Sequence, residues 1–167
     1  KSRELIALSK NLRKAVLELE LEGKKIAQKL FGKTPVIYAP AKFGALAMIW
    51  KIKINENAKT PAFYNVYPEL NHNEMVGFTL PQGKFHIITL MDKNDHPQNI
   101  KRMKITAALL RKKDIETNLI EMTDKNMFDT LFSTLLLGDW VSYYLALLYK
   151  QDPGPVKIVE DLKKLLA

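Results

Sequence analysis

The chain has 167 residues, of which 47% are hydrophobic and 26% charged, a composition that fits one folded domain and excludes a disordered chain. It contains no cysteine, which excludes a disulfide framework or a thiolate metal site and suits a reducing cytoplasm. The formal net charge is +8, but the lysines are spread over predicted helix faces without interleaved aromatic residues, so we expect no nucleic-acid partner.

The chain is predicted to begin with one long amphipathic helix. Apolar residues recur there at spacings of three and four, at Leu5, Leu8, Leu12, Val16 and Leu19. The pattern continues to Leu30, and Gly32 then supplies a left-handed stop before Pro35. No basic and apolar leader of the secretory type is visible at the start of the sequence.

Strands and helices then alternate along the chain. The predicted strands are 36–38, 63–67, 85–91 and 117–122. The predicted helices are one that starts at Ala45 and carries the polar string 55–59 near its C-terminal end, and those at 100–113, 127–150 and 156–166. The third strand is apolar throughout, as a parallel strand covered on both faces requires. This alternation predicts an α/β fold with a mostly parallel sheet flanked by helices, built as a single domain over residues 1–167.

The most apolar segment, residues 131–149, is interrupted at 138–140 by a glycine, an aspartate and a tryptophan. It therefore never reaches the roughly 18 consecutive apolar residues of a membrane span. We predict a buried helix, broken or kinked near Gly138, and no membrane partner.

Ligands of open parallel sheets bind beyond the carboxyl ends of the strands. The loop after the first strand, residues 39–44, has one glycine, and no serine or threonine occurs between Thr34 and Thr60, so it is a poor phosphate cradle. Beyond the second strand, residues 68–74 form a polar cluster that contains His72. With Glu56 this cluster supplies a carboxylate and an imidazole, the groups used for proton transfer at neutral pH.

Each of these groups also has a simpler interpretation. Glu56 could be a solvated residue at the end of a helix, and His72 a neighbour of a helix cap or a surface residue. The three histidines, His72, His86 and His96, lack metal-ligand spacing, so we expect no metal, and nothing in the sequence points to a cofactor.

Several short strings occur in a fixed order along the chain. They are NENAK at 55–59, PAF at 61–63, HNE at 72–74 and GDWVSYYLA at 138–146, preceded by PVIY at 35–38. In order and spacing they resemble the bifunctional phosphoglucose/phosphomannose isomerases of archaea and some bacteria. The resemblance covers nearly the whole chain from about Ala27 onward.

The resemblance implies a sugar-isomerase (SIS) domain with a three-layer α/β sandwich and long helices at both ends of the chain. This domain is the second of two in that family, and the first, which carries the phosphate-binding serines and threonines, is absent here. The implied activity interconverts glucose 6-phosphate or mannose 6-phosphate with fructose 6-phosphate through a cis-enediol. We therefore expect a cytoplasmic enzyme whose isolated second half is inactive or nearly so.

The resemblance also assigns roles to residues. Glu56 is implied as the base, and His72 as the group that assists ring opening across a homodimer interface. Lys163 on the last helix is implied to reach the sugar, with Lys164 as the alternative. We expect the Glu56 carboxylate to face a sugar-sized groove at the strand ends, where a partner's imidazole meets it. The alternatives are a non-catalytic phosphosugar-binding module and a dimerisation domain.

Overall fold

A parallel four-stranded sheet in the order β2-β1-β3-β4 lies at the centre of the computed structural model, which describes residues 2–122 and 126–166. The strands are β1 (Thr34–Pro40), β2 (Phe63–Tyr67), β3 (Phe85–Asp92) and β4 (Glu116–Met122). β1 pairs in parallel with both β2 and β3, and β3 pairs in parallel with β4. All the predicted strands are therefore confirmed.

The helices connect and cover these strands. They are α1 (Ser2–Leu30), α2 (Gly44–Ala58), α3 (Glu74–Gly77), α4 (Pro97–Arg111), α5 (Met127–Leu148) and α6 (Lys157–Leu166). The long opening helix is confirmed, and the chain leaves it through Gly32, whose φ of +74° is left-handed. The predicted break in α5 is wrong, because the helix runs without interruption through Gly138.

Successive residues of the central strands point to opposite faces of the sheet. On β1, Ile37 and Ala39 belong to the core shared with α1, α2 and α5. Val36 and Tyr38 belong to a second core, under α4 and the segment that follows β2. Helices thus cover both faces, and the predicted three-layer α/β sandwich is confirmed.

By length and composition α5 is apolar enough to cross a membrane. One side of it, however, packs against α1 and α2 in the core, where Val141, Leu145 and Ala146 are fully buried. A core helix of a folded domain passes the same length and composition test. We therefore interpret α5 as the buried helix that the sequence predicts.

Gly138 is where α5 passes closest to α2. The Trp50 indole on α2 is fully buried and donates a hydrogen bond from Nε1 to the Thr134 carbonyl oxygen at 2.9 Å. A Cβ at position 138 would lie 2.7 Å from Trp50 Nε1 and 2.8 Å from Cε2. The glycine is needed for this close approach, since a side chain at position 138 would collide with the indole ring.

The first prediction follows from this contact. Gly138→Ala should lower the free energy of unfolding of the chain by about 1–3 kcal/mol, because the buried indole ring has to move. Urea unfolding followed by tryptophan fluorescence measures the change. Gly77→Ala is the matched control, since a Cβ there meets no atom within 4 Å; equal losses in the two variants would contradict the argument.

Candidate functional site

Glu56 lies in the last turn of α2, with its side chain exposed. The amides on either side of it are fixed: Asn55 Nδ2 donates to the Thr60 carbonyl oxygen and Asn57 Nδ2 donates to Ser142 Oγ, both at 2.9 Å. The two asparagines thus hold the end of the helix against its neighbours. The Glu56 carboxylate between them makes no hydrogen bond or ion pair to any residue within 2–122 and 126–166.

The end of α2 meets the segment that precedes α6. Lys59, left-handed at φ 55°, ends the helix, and its Nζ contacts the Glu56 carbonyl oxygen and lies 3.4 Å from that of Pro153. An open depression of about 360 Å³ adjoins this point. Its lining residues are Ala58, Lys59, Thr60, Tyr149 and Gln151. The depression therefore lies beside Glu56 rather than around it.

His72 follows β2, between a 3₁₀ turn at Glu69–Asn71 and the short helix α3. Its imidazole is exposed and makes no hydrogen bond to any residue in the ranges 2–122 and 126–166. His72 is therefore a surface residue and precedes Asn73, the N-cap of α3, as the simpler interpretation of its position expects. It leaves the ring available to a second molecule.

The expected position of the Glu56 carboxylate at the carboxyl ends of the strands is corrected by the topology. α2 leaves the carboxyl end of β1 and ends before the amino end of β2, so Glu56 lies at the amino edge of the sheet. His72 lies beyond the carboxyl end of β2, which spans about 16 Å. The two residues also lie on opposite faces, since α2 packs in one core and the segment after β2 in the other. They cannot meet within one chain.

Lys163 and Lys164 both lie on α6 and are both exposed. Lys163 pairs with Glu160 at 2.8 Å, and Lys164 lies 3.9 Å from Asp161. None of the ten described residues of α6 is buried, although its apolar side chains recur at helical spacing. The choice between the two lysines therefore stays open.

The carboxyl ends of β1 and β3 carry an ion pair that sequence reasoning missed. Lys42, in the loop after β1, bonds through Nζ to Asp92 Oδ2 at 2.7 Å, and Asp92 is 6% exposed. This is the point where connections leave the sheet in opposite directions, the usual ligand crevice of such folds. Lys42 is thus already paired with Asp92, and Asp95 Oδ2 lies 4.0 Å from the same Nζ, so the lysine charge is balanced within the chain, which agrees with the expectation that this loop is no phosphate cradle.

The buried polar group that involves Glu74 was also missed, although Glu74 itself was part of the predicted cluster. Tyr38 Oη donates to Glu74 Oε1 at 2.7 Å, and Asn65 Nδ2 donates to Glu74 Oε2. A signal was present in the sequence. Tyr38 is the one hydroxyl in the first strand after Thr34, and a buried phenol requires a partner.

His86 lies in β3 with its ring buried at 1% exposure. Its Nε2 lies 2.8 Å from Asn118 Oδ1, and its Nδ1 lies 3.5 Å from the Glu116 carboxylate. Burial lowers the pKa of His86, although the Asn118 hydrogen bond opposes the change. Among residues 2–122 and 126–166, no cluster of three potential metal ligands is found.

Comparisons with known proteins agree on the kind of domain. Residues 20–166 match the family described as the bacterial phospho-glucose isomerase C-terminal SIS domain. A bifunctional phosphoglucose/phosphomannose isomerase of Caldicellulosiruptor bescii is 42% identical over 149 residues, which are 87% of this chain and 44% of that protein. A D-glucosamine-6-phosphate 4-epimerase of Sulfolobus acidocaldarius is 40% identical over 142 residues, 84% of this chain and 42% of that one.

The fold is shared with solved structures as well. A glucose-6-phosphate isomerase like protein from Thermus thermophilus superposes with a TM-score of 0.67 at 22% identity, covering 85% of this chain and 46% of that one. The chain spans about half the length of the curated relatives that it matches.

The second prediction concerns pH. Because the pKa of His86 is lower in the folded chain than its usual value near 6.5, the unfolded chain binds the proton more readily. The free energy of unfolding should therefore be highest above about pH 6.5 and fall as the pH is lowered to about 5. Urea titrations across this range measure the change, and His86→Gln should flatten the profile. His72→Gln, which removes an exposed ring, should keep the wild-type slope; a slope unchanged in His86→Gln would contradict the prediction.

Proposed function

Because the chain belongs to the family of bacterial phospho-glucose isomerase C-terminal SIS domains, we propose that it is the second half of a phosphoglucose/phosphomannose isomerase. The enzyme interconverts glucose 6-phosphate or mannose 6-phosphate with fructose 6-phosphate in the cytoplasm. One observation carries the proposal. Glu56, in the string NENAK, and His72, in the string HNE, both have exposed side chains and lie next to residues that are anchored by hydrogen bonds. Exposure alone is also the state of a solvated surface residue; the functional interpretation is supported by the anchored neighbours together with the position of both residues in strings that resemble the family.

The chemistry divides between these two groups. His72 assists ring opening, in which the ring oxygen gains a proton and the anomeric hydroxyl loses one. Glu56 then takes the proton from C2, as O1 gains a proton to give the enediol, and returns it to C1, as O2 loses its proton, so the carbonyl moves from C1 to C2. Glucose and mannose 6-phosphates differ only at C2 and share the cis-enediol formed between these steps. Lys163, or Lys164, supplies a cation near the sugar oxygens.

A homodimer follows from the positions of the two residues. Since the sheet separates Glu56 from His72 within one chain, the imidazole that serves one active site has to come from another subunit. Both side chains are exposed and so can be shared in this way. The substrate's phosphate is held by the other half of the enzyme, since the Lys42 ammonium in the sheet crevice of this half is already paired with Asp92 and lies 4.0 Å from Asp95.

The epimerase relative supports a second candidate function. At 40% identity it shows that a domain of this kind also occurs in a protein named for inversion at C4 of an amino sugar phosphate. An isomerase moves the carbonyl between C1 and C2, whereas such an epimerase leaves it in place. Incubation of the full-length protein with glucosamine 6-phosphate and with glucose 6-phosphate, followed by NMR of the products, separates the two activities.

A non-catalytic phosphosugar-binding module and a dimerisation domain are the remaining alternatives. Neither requires an exposed carboxylate and imidazole together. Both would leave the full-length protein without turnover on either substrate.

The third prediction concerns the isolated chain. Residues 1–167 alone should convert fructose 6-phosphate at less than about 1% of the full-length rate, because the phosphate contacts that position the sugar are missing. A coupled dehydrogenase assay of both proteins measures the ratio. Normal turnover by the isolated chain would show that this half holds the phosphate itself.

The fourth prediction concerns the base. In the full-length protein, Glu56→Gln should lower kcat by about 100- to 10,000-fold, because the amide cannot take the C2 proton, while the Kd for fructose 6-phosphate changes little. Stopped assays and calorimetry measure the two quantities. Glu121→Gln, at an exposed carboxylate on β4, is the matched control and should behave as wild type. Turnover retained in Glu56→Gln would remove Glu56 from the mechanism.

A further inference from the structure

The segment that carries His72 is fixed to the sheet by one carboxylate. Glu74 Oε1 accepts a hydrogen bond from Tyr38 Oη at 2.7 Å, and Oε2 accepts one from the Asn65 side-chain amide. Tyr38 and Asn65 are direct partners in the β1–β2 register, so the two donors stand side by side on adjacent strands. A single side chain thus bridges the segment to both strands.

Both donors are fixed in orientation. Tyr38 is fully buried, and its burial together with the hydrogen bond to Glu74 raises the pKa of the phenol far above its usual range, so it remains a donor. Asn65 Oδ1 accepts from the Val66 backbone N–H at 2.8 Å, which leaves its Nδ2 directed to Glu74. With two donors facing it, position 74 requires two acceptor oxygens, which a carboxylate has and an amide lacks.

A second anchor lies on the other side of His72. Asn71 Nδ2 donates to Thr106 Oγ1 at 2.9 Å, and Thr106 on α4 is 2% exposed. His72 therefore lies one residue after Asn71 and two residues before Glu74, both of which are hydrogen-bonded to buried side chains. The backbone beneath the imidazole is held at both ends while the ring remains exposed.

We propose that Glu74 is a positioning residue that, through Tyr38 and Asn65, holds His72 in the geometry in which it reaches the sugar bound to the partner subunit. This inference rests on the proposed function, since it assigns Glu74 a role only if His72 assists ring opening. Glu74 does not touch the sugar. Its contribution is preorganisation, because a loss of geometry of about 1 Å at a reacting group can cost about 100-fold in rate.

The test compares glucose 6-phosphate, whose ring has to open before isomerisation, with erythrose 4-phosphate, which cannot form a furanose ring. In erythrose 4-phosphate the oxygen that would close a furanose ring carries the phosphate, so the sugar needs no ring opening. His72→Asn in the full-length protein should lower kcat/KM for glucose 6-phosphate by about 10- to 100-fold and leave that for erythrose 4-phosphate within about threefold of wild type. Glu74→Gln and Tyr38→Phe should show the same selective loss, smaller than that of His72→Asn.

Two control variants separate positioning from general destabilisation. Glu69→Gln removes an exposed carboxylate of the same segment that accepts from Asn73. Tyr144→Phe removes a tyrosine–carboxylate bond of 2.6 Å to Glu20 on the opposite face of the sheet. Neither should change the ratio of the two kcat/KM values, whereas a loss of stability alone would lower activity on both substrates equally.

The outcomes distinguish the inference from the function on which it rests. If wild type isomerises neither substrate, or if His72→Asn shows no selectivity, the proposed function or the role of His72 is wrong and the inference fails with it. If His72→Asn is selective but Tyr38→Phe and any folded Glu74→Gln are not, the inference alone is overturned. Tyr38→Phe decides the matter by itself should Glu74→Gln fail to fold.

Discussion

The parallel pairing of β1 with β2 is the constraint on which the placement of the candidate site depends. A parallel pair forces the connecting helix α2 to run back along the full height of the sheet. Glu56, near the end of that helix, is delivered to the amino edge, and His72, just after β2, to the carboxyl edge. Under the proposed chemistry, a single subunit would then carry two half-sites, each completed by another subunit.

If the proposed active site is completed by another subunit, two otherwise unrelated features of the domain have one explanation. The side chains of Glu56 and His72 are exposed. The asparagines next to them are anchored by hydrogen bonds through their side-chain amides, at positions 55 and 57 on one side of the sheet and at position 71 on the other. The crevice that such folds commonly use for ligands is instead occupied by the Lys42–Asp92 pair. Both features agree with the proposal that this domain presents Glu56 and His72 to other parts of an enzyme rather than enclosing a ligand by itself.

Much of the fold could be predicted from periodicity, because apolar spacing records which face of each element is buried. The strands and the long opening helix follow from it directly. The break at Gly138 was predicted wrongly, since a glycine needed for close packing against Trp50 looks the same in sequence as one that ends a helix. The polar strings with Glu56 and His72 were found, but the placement of Glu56 at the carboxyl ends of the strands was wrong, because Glu56 lies at the end of a helix and ligand rules for strand ends do not apply there. The Glu74 and Lys42 contacts join residues far apart in sequence, so no local pattern contains them.

The exposure of the last helix, α6, affects the order of folding and assembly in the proposed enzyme. α6 has ten residues, and none of those described is buried. Isolated helices of this length are marginal in water, so its persistence depends on whatever covers Ile158, Leu162 and Leu165 in the complete enzyme. Under the proposed function, the lysine carried on this helix would reach the sugar only after the enzyme has assembled, so a half-assembled protein would lack that cation and would not start the reaction.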